Sequence, residues 1–421
     1  MYCKQKIRYA GSVKFIEGGV CAPKGFLASG IRCGIKASST KRDLALVYSE
    51  EPCVSAAVFT SNLVKAASVI VSREHNKAGT IRALIANSGN ANACTGKAGL
   101  DAARRMAEMA AEKLGIRAEE TAVASTGVIG VPLPIERIEE GMAELVSSLG
   151  HDGEAALEAI MTTDMRKKSA ALSLDVPSTE NKEAPIRIGA MVKGSGMIHP
   201  NMATMICVIT TDAAINKDML DKALRRAANR SFNRLTVDGD MSTNDIALVM
   251  ANGAAGNVLI KSEGPAWEAF ASALEALCIT LTKAMARDGE GATRLLTAKV
   301  SGAECEEDAA RLARSVAGSS LVKSACFGAD ANWGRVLCAL GYAGVSFKPE
   351  ETSVEFVSAQ GSVKVCTKGE AHPFSEDEAK KILLEEEIEI RAIVGKGKGE
   401  ASAWGCDLTY DYVKINGDYR S

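Results

Sequence analysis

A loop rich in glycine, proline and asparagine runs directly into an apolar segment near the middle of this 421-residue sequence. Residues 191–204 read Met-Val-Lys-Gly-Ser-Gly-Met-Ile-His-Pro-Asn-Met-Ala-Thr, and the apolar run 205–209 follows at once. A loop of this composition can be strained, whereas a buried strand holds its first residues rigidly. The junction therefore predicts that Thr204 is fixed at the start of a core strand.

A threonine in this position is suited to act as an N-terminal nucleophile. If the bond between Ala203 and Thr204 is cut, Thr204 gains an α-amine with a reference pKa of about 7.7–8.0, which can deprotonate its own hydroxyl. The chain has only 4 histidines and no Ser/His/Asp signature, so a histidine base is disfavoured. From spacing alone, an ordinary β-branched strand residue remains the simpler interpretation of Thr204.

Composition narrows the class of protein. Fifty Lys and Arg residues against 52 Asp and Glu residues give a formal net charge of −2, so no general field attracts nucleic acid. The longest apolar runs fall short of the ~18 residues that span a bilayer, and residues 1–9 do not resemble a secretory signal. The 12 cysteines include no C-x-x-C pair. We expect a cytoplasmic globular protein without metal, membrane or nucleic-acid partners.

The spacing of apolar residues predicts a mixture of helices and strands. The predicted helices cover 101–114, closed by Gly115; a segment capped by Asn216; 265–285; and a segment opened by Ser375 and Glu378 that runs to about 386. The predicted strands cover 56–60, 81–86, 204–211, 246–250, 388–394 and 408–415. Because the alternation is irregular and no dinucleotide fingerprint is present, an α+β layered fold is favoured over a doubly wound parallel sheet.

Glycine-rich segments interrupt the pattern and are interpreted first as turns. They lie at 87–96, 194–196, 253–256, 289–291 and 395–399. Lys396 and Lys398 lack the Walker spacing, which favours a basic turn over a phosphate site. The pair Gly194 and Gly196 lacks the third glycine of a dinucleotide loop.

Residues 193–205 nevertheless resemble, nearly residue for residue, the self-cleavage segment of the ornithine acetyltransferase (glutamate N-acetyltransferase) family of arginine biosynthesis. Four further blocks, at 87–96, 125–130, 238–244 and 328–335, agree with that family in order. The resemblance spans nearly the whole chain. It implies a layered α/β/β/α fold similar to that of N-terminal-nucleophile hydrolases.

The same resemblance implies cleavage between Ala203 and Thr204. The products would be an α chain, 1–203, which carries the oxyanion-hole segment, and a β chain, 204–421, which begins with the nucleophile. The family intertwines the two pieces in one functional unit and assembles them as an α2β2 heterotetramer.

Site residues carried over from the family bring together groups from most of the sequence. They are the nucleophile Thr204, the oxyanion-hole residues Thr126 and Gly127, and the substrate ligands Thr162, Thr163, Lys193, Thr204, Glu290, Asn416 and Ser421. The choice between Thr162 and Thr163 is open, with Thr163 favoured. Arg420 departs from the family's terminal threonine pair, whereas Ser421 keeps a hydroxyl at the last position.

The implied reaction moves the acetyl group of N2-acetyl-L-ornithine to L-glutamate through an acetyl-Thr204 intermediate, with no cofactor. Whether acetyl-CoA also serves as a donor is open. Two other interpretations stand beside it. One is an N-terminal-nucleophile amidase or aminopeptidase, in which water accepts the acyl group; the other is a non-catalytic α+β binding protein, in which the glycine-rich blocks are plain turns.

Overall fold

The computed structural model describes residues 13–36, 40–175, 185–199 and 205–418, which form sixteen strands and eleven α-helices. The strands are β1 (Val13–Ile16), β2 (Phe26–Ile31), β3 (Leu44–Ser49), β4 (Val54–Phe59), β5 (Ala83–Asn90), β6 (Thr121–Val128), β7 (Lys168–Leu174), β8 (Ile186–Lys193), β9 (Ile206–Thr211), β10 (Ile246–Ala251), β11 (Leu295–Ala303), β12 (Ser353–Ser358), β13 (Gly361–Thr367), β14 (Glu370–Ala371), β15 (Glu387–Ile393) and β16 (Gly399–Cys406). The helices are α1 (Ala67–His75), α2 (Gly96–Leu114), α3 (Ile135–Ser147), α4 (Glu154–Ile160), α5 (Lys217–Arg230), α6 (Pro265–Arg287), α7 (Glu306–Gly318), α8 (Ser320–Phe327), α9 (Trp333–Gly341), α10 (Glu376–Leu383) and α11 (Tyr410–Gly417).

Six strands form the first sheet, in the order β1-β7-β8-β9-β10-β4. Neighbouring strands are antiparallel, except that β9 and β10 are parallel. All six residues of β9 are buried, as expected for a strand in the interior of a sheet with both faces covered. The core strand predicted beyond Thr204 is thus confirmed from Ile206 onward.

Alternate residues of β9 face two different layers. Ile206 and Val208 pack against the second sheet, whose order is β2-β3-β5-β6. Cys207 and Ile209 point the other way and pack against α5 and α6. On the far side of the second sheet, α2 and α3 cover its outer face. The result is two sheets packed face to face between helices, which confirms the predicted α/β/β/α layering.

The third sheet has the order β14-β13-β12-β15-β11-β16 and encloses a second core with α7, α8, α9 and α10. Its edge strand β16 connects the two cores, because Trp404 and Cys406 at the end of β16 pack into the core of the first sheet. The segment 395–399, interpreted as a basic turn, connects β15 to β16.

Local signals fix the ends of several helices as predicted. Asn216 Oδ1 accepts a hydrogen bond from the Met219 N–H at 3.0 Å and caps α5. Gly115, with φ 68°, ends α2 in the left-handed conformation that glycine adopts readily. Ser375 Oγ caps α10. Three helix bounds differ from the prediction, since α2 begins at Gly96, α6 ends at Arg287 and α10 ends at Leu383.

Helix α6 is the one helix of the described ranges that is long and apolar enough to cross a membrane. Two thirds (67%) of its most apolar window is buried inside the protein, where it packs against the first sheet. Its composition is therefore explained by the core. The helix ends beside Asp288 and delivers Glu290 to the site described below.

One predicted strand is wrong. The segment 408–415 forms most of helix α11, which has no buried residue. Strand β16, which was not predicted, already pairs with β11 just before this segment. The apolar residues of the segment pack on a surface rather than in a sheet: Tyr410 is 85% exposed and touches Phe327 edge to face at a ring distance of 5.6 Å.

Candidate active site

A cavity of about 280 Å³ is lined by residues that are far apart in the sequence. All the predicted site residues within the described ranges line this cavity: Thr126, Gly127, Thr162, Thr163, Lys193, Glu290 and Asn416. They come from strand ends, from loops after helices and from α11. The fold thus brings the whole described part of the predicted site to one place.

Thr126 and Gly127 lie near the carboxyl end of β6, which pairs in parallel with β5. Gly127 has φ 134°, and a Cβ there would lie 2.3 Å from the carbonyl carbon of Gly89, so only glycine fits. The Asn244 side-chain amide donates to the carbonyl oxygens of Ala91 and Ser125, at 2.6 and 2.8 Å. The strand that presents the Thr126 hydroxyl is therefore held on both sides, as preorganised stabilisation of an oxyanion requires.

Lys193 is the last residue of β8 and is 3% exposed. Its Nζ donates to Thr126 Oγ1 at 3.5 Å and lies 4.0 Å from Asp164 Oδ2. Burial lowers the pKa of Lys193, whereas the charge of Asp164 opposes that change. Because Lys193 donates a hydrogen bond to Thr126 Oγ1, the Thr126 hydroxyl is free to donate its own hydrogen into the cavity.

Glu290 and Asn416 form a further part of the cavity wall. Asn416 Nδ2 donates to Glu290 Oε2 at 2.8 Å, and the Glu290 N–H donates to the Ser195 carbonyl oxygen at 3.1 Å. A Cβ at Gly196 would lie 2.3 Å from the Glu290 carboxylate carbon. Because Gly196 has no side chain, the Glu290 carboxylate can lie close to its backbone, in addition to the turn that was the first interpretation of this glycine. With Lys193, the cavity carries one charge of each sign.

Thr162 and Thr163 follow α4 and both line the cavity. The Thr162 N–H donates to Asp164 Oδ2 at 3.0 Å, which fixes the loop through its backbone. Both side chains belong to the wall, so the preference for Thr163 stays a prediction.

Ala203, Thr204 and Ser421 lie outside the described residues. The chain resumes at Met205, whose N–H donates to Asp245 Oδ1 at 3.1 Å. Asp245 is fully buried, and burial raises the pKa of its carboxyl well above the usual value. Asp245 thus fixes the backbone directly after the predicted nucleophile. Within the described ranges, no group of three or more His, Cys, Asp or Glu residues is placed to hold a metal ion.

The sequence profile of the ArgJ family matches residues 27–421. The chain belongs to the ArgJ family. It is 52% identical over 411 residues to the arginine biosynthesis bifunctional protein ArgJ of Symbiobacterium thermophilum, a match that covers 97% of this chain and 100% of the relative. The ArgJ protein of Bacillus subtilis is 46% identical over 407 residues, with 96% and 97% covered.

Two solved structures of ArgJ-family proteins are also similar to this chain. The crystal structure of the arginine biosynthesis bifunctional protein ArgJ from Bacillus halodurans is 44% identical, with a TM-score of 0.47, and covers 50% of this chain and 97% of its own. Ornithine acetyltransferase from Mycobacterium tuberculosis, in complex with ornithine, is 40% identical, with a TM-score of 0.41, and covers 46% and 100%.

Sequence reasoning missed several residues of this ArgJ-family site. Four residues that line the cavity belong to the blocks 87–96 and 238–244, for which the family resemblance gave no individual role. They are Ala91, Ser242, Thr243 and Asn244. Their place in those blocks was the signal that could have identified them. The signal for Asp164 was weaker: it directly follows Thr162 and Thr163.

Proposed function

We propose that this ArgJ-family protein transfers the acetyl group of N2-acetyl-L-ornithine to L-glutamate, as implied by the resemblance and by the names of its relatives. The observation that carries the proposal is the convergence of the two predicted oxyanion-hole residues with the buried Lys193 and the carboxylate of Glu290 on a single small cavity. That arrangement suits a small substrate with charged groups at both ends and a carbonyl between them.

In the first half-reaction, Thr204 Oγ attacks the acetyl carbonyl, and the free α-amine of Thr204 takes the hydroxyl proton. The Thr126 hydroxyl and the Gly127 N–H donate to the oxyanion of the tetrahedral intermediate, a contribution of about 3–4 kcal/mol per donor. When the intermediate collapses, the C–N bond breaks, and the proton returns to the amine of the leaving ornithine. An acetyl ester remains on Thr204.

In the second half-reaction, the neutral α-amine of glutamate attacks the ester carbonyl in the same cavity. The tetrahedral intermediate again uses Thr126 and Gly127. The bond to Thr204 Oγ breaks, a proton from the attacking amine restores the Thr204 hydroxyl, and N-acetylglutamate leaves. This is covalent catalysis with ping-pong kinetics.

The charged groups of the wall favour one orientation of ornithine. Lys193 pairs with a substrate carboxylate, and Glu290 with the side-chain ammonium of ornithine, because opposite charges attract strongly in a site with little water. Glutamate shares the α-carboxylate and lacks that ammonium. One cavity therefore binds both the acetyl donor, acetylornithine, and the acetyl acceptor, glutamate, through the α-carboxylate that they share.

Processing and assembly belong to the same proposal. Cleavage between Ala203 and Thr204 gives an α chain, 1–203, and a β chain, 204–421, which assemble as an α2β2 heterotetramer in the cytoplasm. The reaction needs no cofactor. Since the relatives are named bifunctional proteins, acetyl-CoA is the second donor to test.

Intact-mass spectrometry tests processing and acylation together. We expect two pieces of 203 and 218 residues, near half of 44.2 kDa each, and the larger piece should gain one acetyl group after incubation with acetylornithine.

Thr204→Ala should give one uncleaved chain without transfer activity. Transfer by that variant would exclude Thr204 as the nucleophile, and glutamate-independent hydrolysis by the native protein would favour the amidase.

A further inference from the structure

Four charged side chains form a nearly dry cluster behind the cavity wall. Asp164, Lys168, Lys193 and Asp288 have side-chain exposures of 0, 1, 3 and 3%. Only Lys193 lines the cavity. The other three are separated from any substrate by the wall itself, so a role for them must act through Lys193 or through the backbone of the wall.

Asp164 connects the two segments that carry substrate ligands. Its Oδ1 accepts hydrogen bonds from the Gly194 N–H and from Lys168 Nζ, each at 2.7 Å. Its Oδ2 accepts from the Thr162 N–H at 3.0 Å and faces the Lys193 ammonium at 4.0 Å. One carboxylate therefore fixes the threonine loop, the residue after Lys193, and the ammonium of Lys193.

Lys168 extends the connection to the segment that carries Glu290. Its ammonium bridges Asp164 and Asp288. Asp288 Oδ2 also accepts from the N–H groups of Met165 and Arg166, both at 3.2 Å. The Asp288 carbonyl oxygen accepts from the hydroxyl of Ser195, the residue whose carbonyl receives the Glu290 N–H. The cluster thus joins every charged part of the cavity wall.

Charge balance explains why Lys193 needs a partner. A buried ammonium without a counter-charge loses its proton, because water no longer stabilises the charge. The charged groups that face Lys193 are Asp164, Lys168, Glu290, Asp245 and Lys36. Burial would raise the pKa of Asp164, but Lys193 and Lys168 lower it to about 2, so Asp164 is ionised throughout the working range.

We propose that Asp164 is a positioning residue that holds the Lys193 ammonium against the cavity and keeps it protonated for a substrate carboxylate, with Lys168 and Asp288 fixing Asp164. The identity of the ligand in this proposal rests on the proposed function, whereas the protonation state of Lys193 does not. It predicts a pH dependence. As pH rises through the pKa of Lys193, the ammonium is lost, and kcat/KM for acetylornithine falls.

Asp164→Asn is the central test, because the amide keeps the shape and removes the charge, although its one oxygen can accept from only one of the Gly194 and Thr162 N–H groups. We expect the alkaline limb of kcat/KM to move to lower pH by about one unit. KM should rise more than kcat falls. Lys168→Met removes a like charge from beside Lys193, so the limb should move to higher pH; a merely structural defect gives no such opposite shifts.

Asp212→Asn is the matched control. Asp212 is also fully buried and accepts two backbone N–H groups, from Arg187 at 2.7 Å and Lys24 at 3.2 Å. Asp212 directly follows the last residue of β9, whereas Lys193 pairs with Ile206, the first residue of that strand. The two ends of the strand are about 20 Å apart. An unchanged alkaline limb in Asp164→Asn, or an equal shift in Asp212→Asn, would overturn the proposal.

A readout without turnover separates this proposal from the proposed function. Trace acetylation with acetic anhydride at a series of pH values, followed by peptide mass spectrometry, gives the pKa of the Lys193 amine directly. A lower value in Asp164→Asn supports the positioning role even if the native protein shows no transfer activity, which would refute the function alone. An equal value in both proteins would refute the positioning role.

Discussion

Thr121 and Thr126 lie on the same strand, β6, and both are buried, yet only Thr126 lines the cavity. The hydroxyl of Thr126 has Lys193 as its donor, whereas Thr121 Oγ1 has no hydrogen-bond partner among the described residues. The two threonines therefore offer a pair of variants matched in residue type, strand and burial. They differ in the cavity, which only Thr126 lines, and in the hydrogen bond from Lys193 that only Thr126 receives.

Replacing Thr126 by valine removes one of the two proposed oxyanion-hole donors with little change in the size of the side chain. We expect kcat to fall about 10²–10³-fold, because the lost hydrogen bond strengthens only in the tetrahedral intermediate. Thr126→Ser, which keeps a hydroxyl, should recover most of the rate. Steady-state kinetics with acetylornithine and glutamate measure both effects.

The control is Thr121→Val, which should leave kcat and KM unchanged. Its stability in urea should be equal to that of the native protein or higher by about 1 kcal/mol, because a buried hydroxyl without a partner is costly. A comparable loss of rate in both valine variants would show that strand β6, rather than the Thr126 hydroxyl, is what activity requires.

Among the elements that build the site, α11 is the most weakly held. It has no buried residue, and its contacts to the rest of the molecule include the Asn416 bond to Glu290 and the ring contact of Tyr410 with Phe327. Few apolar contacts and exposed backbone hydrogen bonds make an element open easily. Helix α6, with thirteen buried residues, is the opposite case.

Hydrogen–deuterium exchange tests this difference. We expect the amides of α11 to exchange within the shortest labelling times and those of α6 to be protected for hours. Ornithine should slow exchange in α11 through Glu290 and Asn416, while α10 on the second core serves as the unaffected control. If ornithine leaves exchange in α11 unchanged, this helix has no part in ligand binding.

Among the helices and strands, the sequence predicted those that have a local capping signal or a long run of regularly spaced apolar residues. Asn216 and Pro265 mark helix starts by their own chemistry, and the apolar run after Thr204 is a strand in any context that buries it. Helix α11 was missed because a short segment with exposed aromatic residues carries no reliable period. The cluster around Lys168 was out of reach, since Asp288 lies 120 residues further along the chain.

The whole molecule is built so that the proposed α and β chains share one sheet. Strands β1, β4, β7 and β8 precede Thr204, whereas β9 and β10 follow it. The antiparallel pairing of β8 with β9 runs from Ile188 and Thr211 to Lys193 and Ile206, and it joins the two pieces at the centre of the sheet. The predicted division at residue 203 is therefore a cut in a connection, and each piece lacks part of the core.

We expect the cleaved pieces to elute together from a size-exclusion column under native conditions, at no less than the mass of the uncleaved chain, because separation would expose the face of β9 that packs on the second sheet and the paired edges of β8 and β9. A denaturing gel of each fraction reads the result. Pieces that elute under native conditions at half the mass of the uncleaved chain would show that 1–203 and 204–421 fold as independent domains.

The position of the cut between two neighbouring strands also changes the reaction order of folding. The intact precursor folds in a first-order process, because β8 and β9 belong to one chain and bringing them together costs little loop-closure entropy. After the cut, the same strands can meet again only by collision of two separate fragments, so recovery from unfolding depends on concentration. Self-cleavage would then leave an enzyme whose lifetime is set by how slowly it unfolds.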